Sequence, residues 1–162
     1  MTISEIMLPE FDYEAQKTRK LLERVPLDQA DWRPHDKSMK LGRLATHIAE
    51  TPAWTSRVLA HDSFDLQARS SAQAESQEKL LAIFDGNVSE ARAAIAQTTD
   101  EQWQKEWAFF FGGHKVFERT RYRVVREMMI DHLIHHRGQL SVYLRLRDIP
   151  VPGMYGPSAD EK

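Results

Sequence analysis

The feature that most constrains the fold is a helical pattern near the C-terminus in which two core positions hold histidine. Between residues 120 and 147, apolar or histidine side chains recur in steps of three and four residues, at Tyr122, Val125, Met129, His132, His136, Gln139 or Leu140, and Tyr143. A helix turns about 100° per residue, so this spacing predicts one amphipathic helix. His132 and His136 then lie about 40° apart on one face, where two imidazoles can reach one metal ion.

The neighbouring residues refine this interpretation. Zinc-protease motifs place a glutamate directly after the first histidine, but Leu133 stands there, so the pattern does not predict protease chemistry. His135 lies about 60° from His132 and about 100° from His136 around a helix, so it points off the apolar face. It is interpreted as a flanking residue or as a partner that orients one of the other imidazoles.

Length and composition favour a single domain spanning residues 1–162, with 41% hydrophobic and 28% charged residues. The formal net charge is −2 and no basic cluster stands out, which argues against nucleic-acid binding or attraction to an anionic membrane. There is no cysteine, which excludes disulfides, thiolate ligands and a cysteine nucleophile. The N-terminus does not resemble a signal peptide, and the sequence predicts a cytoplasmic protein.

Apolar periodicity predicts four helices joined by two long crossovers, and hence an all-α four-helix bundle. Pro52 falls inside the second helix and predicts a kink there. The polar stretch 62–74 is predicted to be a loop of weak structure. Gly138 in mid-helix suggests close approach of a neighbouring helix. The predicted helices span residues 4–25, 38–61, 75–97 and 120–147.

A small extended aromatic segment is predicted between the third and fourth helices. Aromatic residues flank Gly112–Gly113 within residues 103–117, which favours a small hairpin or a pair of extended arms, too short to form a sheet of its own. We expect the segment to pack over the end of the bundle. It is then either part of the core or a lid over a substrate.

His47 lies on the apolar face of the second predicted helix and completes a candidate metal site with His132 and His136. Three neutral imidazoles leave positions for water or substrate, as in catalytic rather than structural metal sites. The imidazole N–H groups need acceptors. Gln139 and Glu50 are the nearest candidates, although a surface ion pair is an equal alternative for Glu50.

Three further residues are candidates for a substrate pocket: Trp54, Arg137 and Tyr143. Arg137 has two interpretations, as the partner of a substrate carboxylate or as the partner of a nearby acid in the protein.

The sequence resembles the DinB/YfiT-like family, which is named for a damage-inducible bacterial protein. The resemblance rests on His132-x-x-x-His136-Arg-Gly-Gln139, on Leu41-Gly-Arg-Leu-Ala-Thr-His47-Ile, and on the tail Tyr155-Gly-Pro-Ser-Ala-Asp160. It implies an up-up-down-down bundle that forms a homodimer. It also implies a divalent metal ion, nickel or zinc, held by one histidine of the second helix and two of the fourth, which correspond to His47, His132 and His136.

Some members of that family are thiol-dependent S-transferases or hydrolases. The resemblance therefore implies a metal-dependent enzyme in which the ion activates water or a low-molecular-weight thiol toward a small-molecule substrate. The alternative is a stress-related metal-binding or interaction protein without turnover. No side chain stands out in the sequence as a general base.

Overall fold

The structure is a computed structural model that describes residues 1–68, 70 and 72–161. Its helices are α1 (Ile3–Leu22), α2 (Leu41–Glu50), α3 (Ala53–Ala60), α4 (Gln77–Gln97), α5 (Asp100–Trp103), α6 (Arg121–Val125) and α7 (His132–Leu146). Its strands are β1 (Ser63–Leu66), β2 (Glu106–Phe111) and β3 (His114–Thr120). None of the helices in the described ranges is both long enough and apolar enough to cross a membrane.

The prediction of an all-α four-helix bundle is wrong, because the chain also builds a three-stranded mixed sheet in the order β1-β2-β3. The strands β2 and β3 form the predicted hairpin, and both turn glycines have positive φ, at 55° and 82° for Gly112 and Gly113. The third strand, β1, pairs parallel to β2 from within the predicted loop. The aromatic hairpin therefore does belong to a sheet.

Capping residues explain where the first and fourth helices begin. Thr2 accepts a hydrogen bond from the backbone of Glu5, whose side chain accepts from Thr2 in return, so a capping box starts α1. Ser76 caps α4, because its hydroxyl oxygen accepts a hydrogen bond from the backbone N–H of Lys79. These polar side chains satisfy N–H groups that the first turn of a helix leaves without partners.

Pro52 separates α2 from α3 at the position predicted for a kink. Its ring cannot supply the N–H that a continuous helix would need, so α2 ends at Glu50 and α3 begins at Ala53. Thr51 continues the local hydrogen bonding by donating its hydroxyl to the carbonyl of His47, at 2.8 Å. The break thus comes one turn after a candidate metal ligand.

The predicted fourth helix differs most from the observed one. Thr120 ends β3, and the chain passes directly into α6, then into a π-helical stretch, Arg126–Asp131, and then into α7. A π turn contains more residues than an α turn, so it changes which residues face the core. Tyr122, predicted on the apolar face, is 41% exposed, whereas Val124 is fully buried.

The core lies between the helices and the inner face of the sheet. It includes two completely buried tryptophans, Trp103 and Trp107, together with leucines of α1, α2 and α4. The indole N–H of Trp103 donates to the hydroxyl of Ser4, at 2.9 Å, which joins α5 to α1. Gly138 faces open space and is exposed, so the prediction of close helix approach there is wrong.

Candidate metal centre

The structure brings together the three histidines that periodicity selected. His47 comes from α2, whereas His132 and His136 come from the first turns of α7. One ring nitrogen from each lies within 4.8 Å of the other two, and the Nε2 atoms of His47 and His132 are 2.9 Å apart. Ligand nitrogens around one tetrahedral zinc ion are about 3.3 Å apart, so the cluster has the size of a metal site.

The three rings surround a small common space. Their centroids are 4.4–5.1 Å apart in pairs, and the interplanar angles lie between 76° and 80°. The arrangement suits an ion held by three separate imidazoles.

All three imidazoles are kept in the neutral form that a metal requires. Burial is the main cause in each case, because it disfavours the charged form. Burial, His136, His132 and Arg43 together lower the pKa of His47 to about 3. Burial, His136 and His135 together lower the pKa of His132 to about 4. The pKa of His136 is also lowered by burial.

Gln139 fixes the orientation of His136. The Nδ1 atom of His136 lies 2.7 Å from the side-chain oxygen of Gln139. Because that oxygen can only accept, Nδ1 must carry the proton, and Nε2 keeps a free lone pair for a metal ion. The chemistry of the donor set therefore fits a divalent metal ion.

Glu50 has no hydrogen bond to the ring of His47 among the described contacts and is instead connected to it through Arg43. Its carboxylate accepts hydrogen bonds from both terminal nitrogens of Arg43, each at 3.0 Å. One of those nitrogens is 3.5 Å from Nδ1 of His47. Arg43 is the residue that sequence reasoning missed. The sequence spacing could have identified it, because Arg43, His47 and Glu50 lie on one helix face at steps of four and three residues.

Three other residues predicted for the site, His135, Trp54 and Arg137, have different surroundings in the structure. His135 is exposed, and its ring centre is 4.9 Å from that of His136. Trp54 packs on Phe64 of β1 and on Phe109 of β2, at the sheet side of the molecule. Arg137 is buried against α1, where it pairs with Glu14. His135 therefore flanks the histidine cluster, whereas Trp54 lies against the sheet and Arg137 pairs with α1.

A cavity of about 240 Å³ opens beside His136. One wall comes from α7, and it includes Tyr143, one of the predicted pocket residues. The other wall comes from the loop before α2, which sequence reasoning did not connect with the site. The lining residues are Lys37, Ser38, Met39, His136, Gln139 and Tyr143.

Comparison with known proteins identifies the family. The model of the DinB family matches residues 2–162. The chain belongs to the DinB family. Among curated DinB relatives, the uncharacterized protein YrdA of Bacillus subtilis is 26% identical over 95% of this chain and 89% of YrdA. The uncharacterized protein YjoA of the same organism is 26% identical over 79% of this chain and 80% of YjoA.

Solved structures of DinB-like proteins share the fold. A DinB-like protein from Bacillus cereus superposes with a TM-score of 0.72 at 20% identity, over 95% of this chain and 98% of that one. The structure of YjoA from Bacillus subtilis gives a TM-score of 0.68 at 20% identity, over 96% of this chain and 97% of YjoA. At this identity the likeness concerns the fold alone.

The π-helical stretch ends directly before His132. Such turns are rare and occur frequently at functional sites. Within it, Met129 and Ile130 are buried, and α7 then turns His132 toward His47 across the interface with α2. A continuous α-helix from residue 121 would direct the side chains after the bulge to another side. The π turn thus sets the direction in which the two α7 histidines point.

The bond from His136 to Gln139 gives a test of the site that leaves every candidate ligand in place. We expect Gln139→Leu to weaken divalent-metal binding by about 10- to 100-fold, the usual effect of removing a group that orients a ligand. Titration of metal-free protein with zinc measures the affinity. Gln139→Glu, which keeps an acceptor oxygen, is the matched control and should bind at least as tightly as the wild type. Equal affinity of Gln139→Leu and wild type would show that the bond does not orient the ligand.

Proposed function

We propose that this DinB-family protein binds one divalent metal ion at His47, His132 and His136 and catalyses a transferase or hydrolase reaction. The observation that carries the proposal is the convergence of three neutral imidazoles from two helices within 4.8 Å. The cavity beside His136 supports it, because it leaves space for a small molecule next to one of the three candidate ligands.

A bound nickel or zinc ion would lower the pKa of a water molecule or a low-molecular-weight thiol and supply a nucleophile at neutral pH. The side chains of the site favour this role of the ion in two ways. His47, His132 and His136 contribute lone pairs but no negative charge, so they leave the positive charge of the ion undiminished. Gln139 holds His136 in one tautomer through its 2.7 Å hydrogen bond.

The chain supports an external nucleophile rather than one of its own. It contains no cysteine, so a thiol must come from a cosubstrate. Neither of the hydroxyl residues that line the described cavity, Ser38 and Tyr143, has an imidazole partner, as a serine or tyrosine activated by a general base would. These observations favour water or a small thiol as the attacking group.

Turnover is tested on metal-loaded protein with a panel of small electrophiles and esters, each offered with and without low-molecular-weight thiols. We expect product formation that requires the metal and is lost in His47→Ala. His114→Ala, which removes an exposed histidine of β3, is the control and should retain activity. Metal binding without turnover across the panel would favour a non-catalytic metal-binding protein. Turnover that persists in His47→Ala would contradict the proposed site.

A further inference from the structure

The wall of the cavity opposite α7 carries an unneutralised positive charge. The loop of residues 31–40 contains two acidic residues, and each has a basic partner: Asp31 pairs with Lys40 at 2.7 Å, and Asp36 pairs with Arg33 at 3.1 Å. Lys37 forms no ion pair with any residue that the structure describes, and it is one of the residues that line the cavity. The loop therefore places one cationic residue without an acidic partner at the cavity.

The rest of the lining reinforces the preference for an anion. The loop adds the hydroxyl of Ser38 beside Lys37, and none of the described residues that line the cavity is acidic. The carboxylate of Glu50, on the same helix as His47, is paired with Arg43. A ligand with a negative group would meet hydrogen-bond donors and a cationic residue in the lining, and no acidic residue among the described lining residues.

The position of Lys37 relative to the histidines is set by packing. The hydroxyl of Tyr143 donates to the backbone carbonyl of Met39, at 3.2 Å, which ties the loop to α7 two turns after His136. Trp32 packs edge-on against the same tyrosine, with ring centres 5.6 Å apart. Within the loop, the backbone N–H of Lys37 donates to Nδ1 of His35, at 3.1 Å. The loop is thus held in place on the wall of the cavity that lies opposite His136.

We infer that the natural ligand of this site is a small organic acid whose carboxylate is held by Lys37 and Ser38 while its other end reaches the histidine cluster. The inference rests on the proposed function, because it takes the histidines as metal ligands. The volume of about 240 Å³ sets the size, since it lies below the range of about 300–1,000 Å³ typical of pockets for drug-sized molecules. The cavity suits a compact molecule with one group at each end.

Two matched thiols test the inference on the cobalt(II) form of the protein. 3-Mercaptopropionate carries the carboxylate, and 3-mercapto-1-propanol is its uncharged counterpart. Binding of either sulfur to cobalt is followed by the thiolate-to-cobalt absorption band. We expect the wild type to prefer the acid by about three- to tenfold, because Lys37 is partly screened by solvent. Lys37→Met should abolish this preference, and Lys37→Arg should retain it.

Lys40→Met is the control, since it removes the same charge from the same loop but from a lysine paired with Asp31. It should keep the preference for the acid. Equal affinity of the wild type for both thiols, a preference that survives in Lys37→Met, or no binding of the acid by cobalt-loaded protein would each overturn the inference and leave the metal site standing. Failure of the wild type to bind cobalt through its histidines would instead refute the proposed function, and this inference with it.

Discussion

Replacing His132 by alanine is expected to have the largest effect on the proposed site and to lower its affinity for a divalent metal ion by more than about a hundredfold. Removal of a residue that merely orients a ligand costs about 10- to 100-fold, so loss of a ligand costs more. His132 contributes one of the three nitrogens that lie within 4.8 Å of one another, and its Nε2 atom lies 2.9 Å from that of His47. Metal analysis of protein produced without a histidine tag should give about one ion per chain for the wild type and almost none for the variant.

His135→Ala is the matched control for that experiment, because His135 is an exposed histidine on the same helix. It should bind metal as the wild type does. Circular dichroism of both variants will show whether the fold is retained. A wild-type protein that binds no divalent ion, or a His132→Ala variant that keeps its ion, would refute the proposed metal site.

The second large effect concerns stability and the buried pair of Arg137 and Glu14. Their side chains are only 2% and 8% exposed, and Nη2 of Arg137 lies 2.5 Å from the carboxylate of Glu14. Removing one partner of a buried pair leaves the other charge without compensation, at a cost of about 3–5 kcal/mol. We expect Glu14→Gln to lower the free energy of unfolding by that amount and the melting temperature by roughly 6–20 °C. Thermal and urea unfolding of metal-free protein measure both quantities.

The double variant Glu14→Gln with Arg137→Met separates the pair from its individual residues. It removes both charges, so it should be more stable than Glu14→Gln alone. Asp85→Asn is a surface control, because it breaks an exposed ion pair with Arg19 and should change the stability by less than about 1 kcal/mol. If Glu14→Gln proved as mild as Asp85→Asn, the pair would not be an important source of stability.

Tyr155 extends this pair to the C-terminal tail. Its hydroxyl donates to the Glu14 carboxylate, at 2.9–3.0 Å, and accepts from Arg137. Arg137 also donates to the backbone carbonyl of Glu14 and to the hydroxyl of Thr18, at 3.0 and 3.1 Å. The tail, α1 and α7 therefore meet at one hydrogen-bonded group of side chains that includes Arg137, the residue directly after His136.

The candidate metal site was easier to predict from the sequence than the fold. His47, His132 and His136 could be selected because a histidine at a core position breaks a regular apolar pattern, and each pattern is local. The same reasoning applied to Glu14 on α1 and Arg137 on α7 would have found two opposite charges at core positions. Neither signal needs any knowledge of how distant segments pair.

The sheet and the π turn could not be found in this way. The strand β1 has only four residues, Ser63–Leu66, too few for a reliable alternation, and its partner lies more than forty residues along the chain. The π turn leaves no mark in composition, since Arg126–Asp131 reads as ordinary helix. Its only sign was indirect: the predicted apolar face ran through Tyr122, which the structure leaves 41% exposed.

The distribution of the three histidines along the chain has a mechanical consequence. His47 and His132 are 85 residues apart, and an ion bound by both would connect α2 to α7. In the unfolded chain, the same connection would restrict the conformations of a long loop. A covalent bridge that closes a loop of that length stabilises the folded state by about 4–5 kcal/mol. A protein without cysteine could thus acquire the equivalent of a disulfide, one that forms and opens with the supply of metal rather than with the redox state of its surroundings.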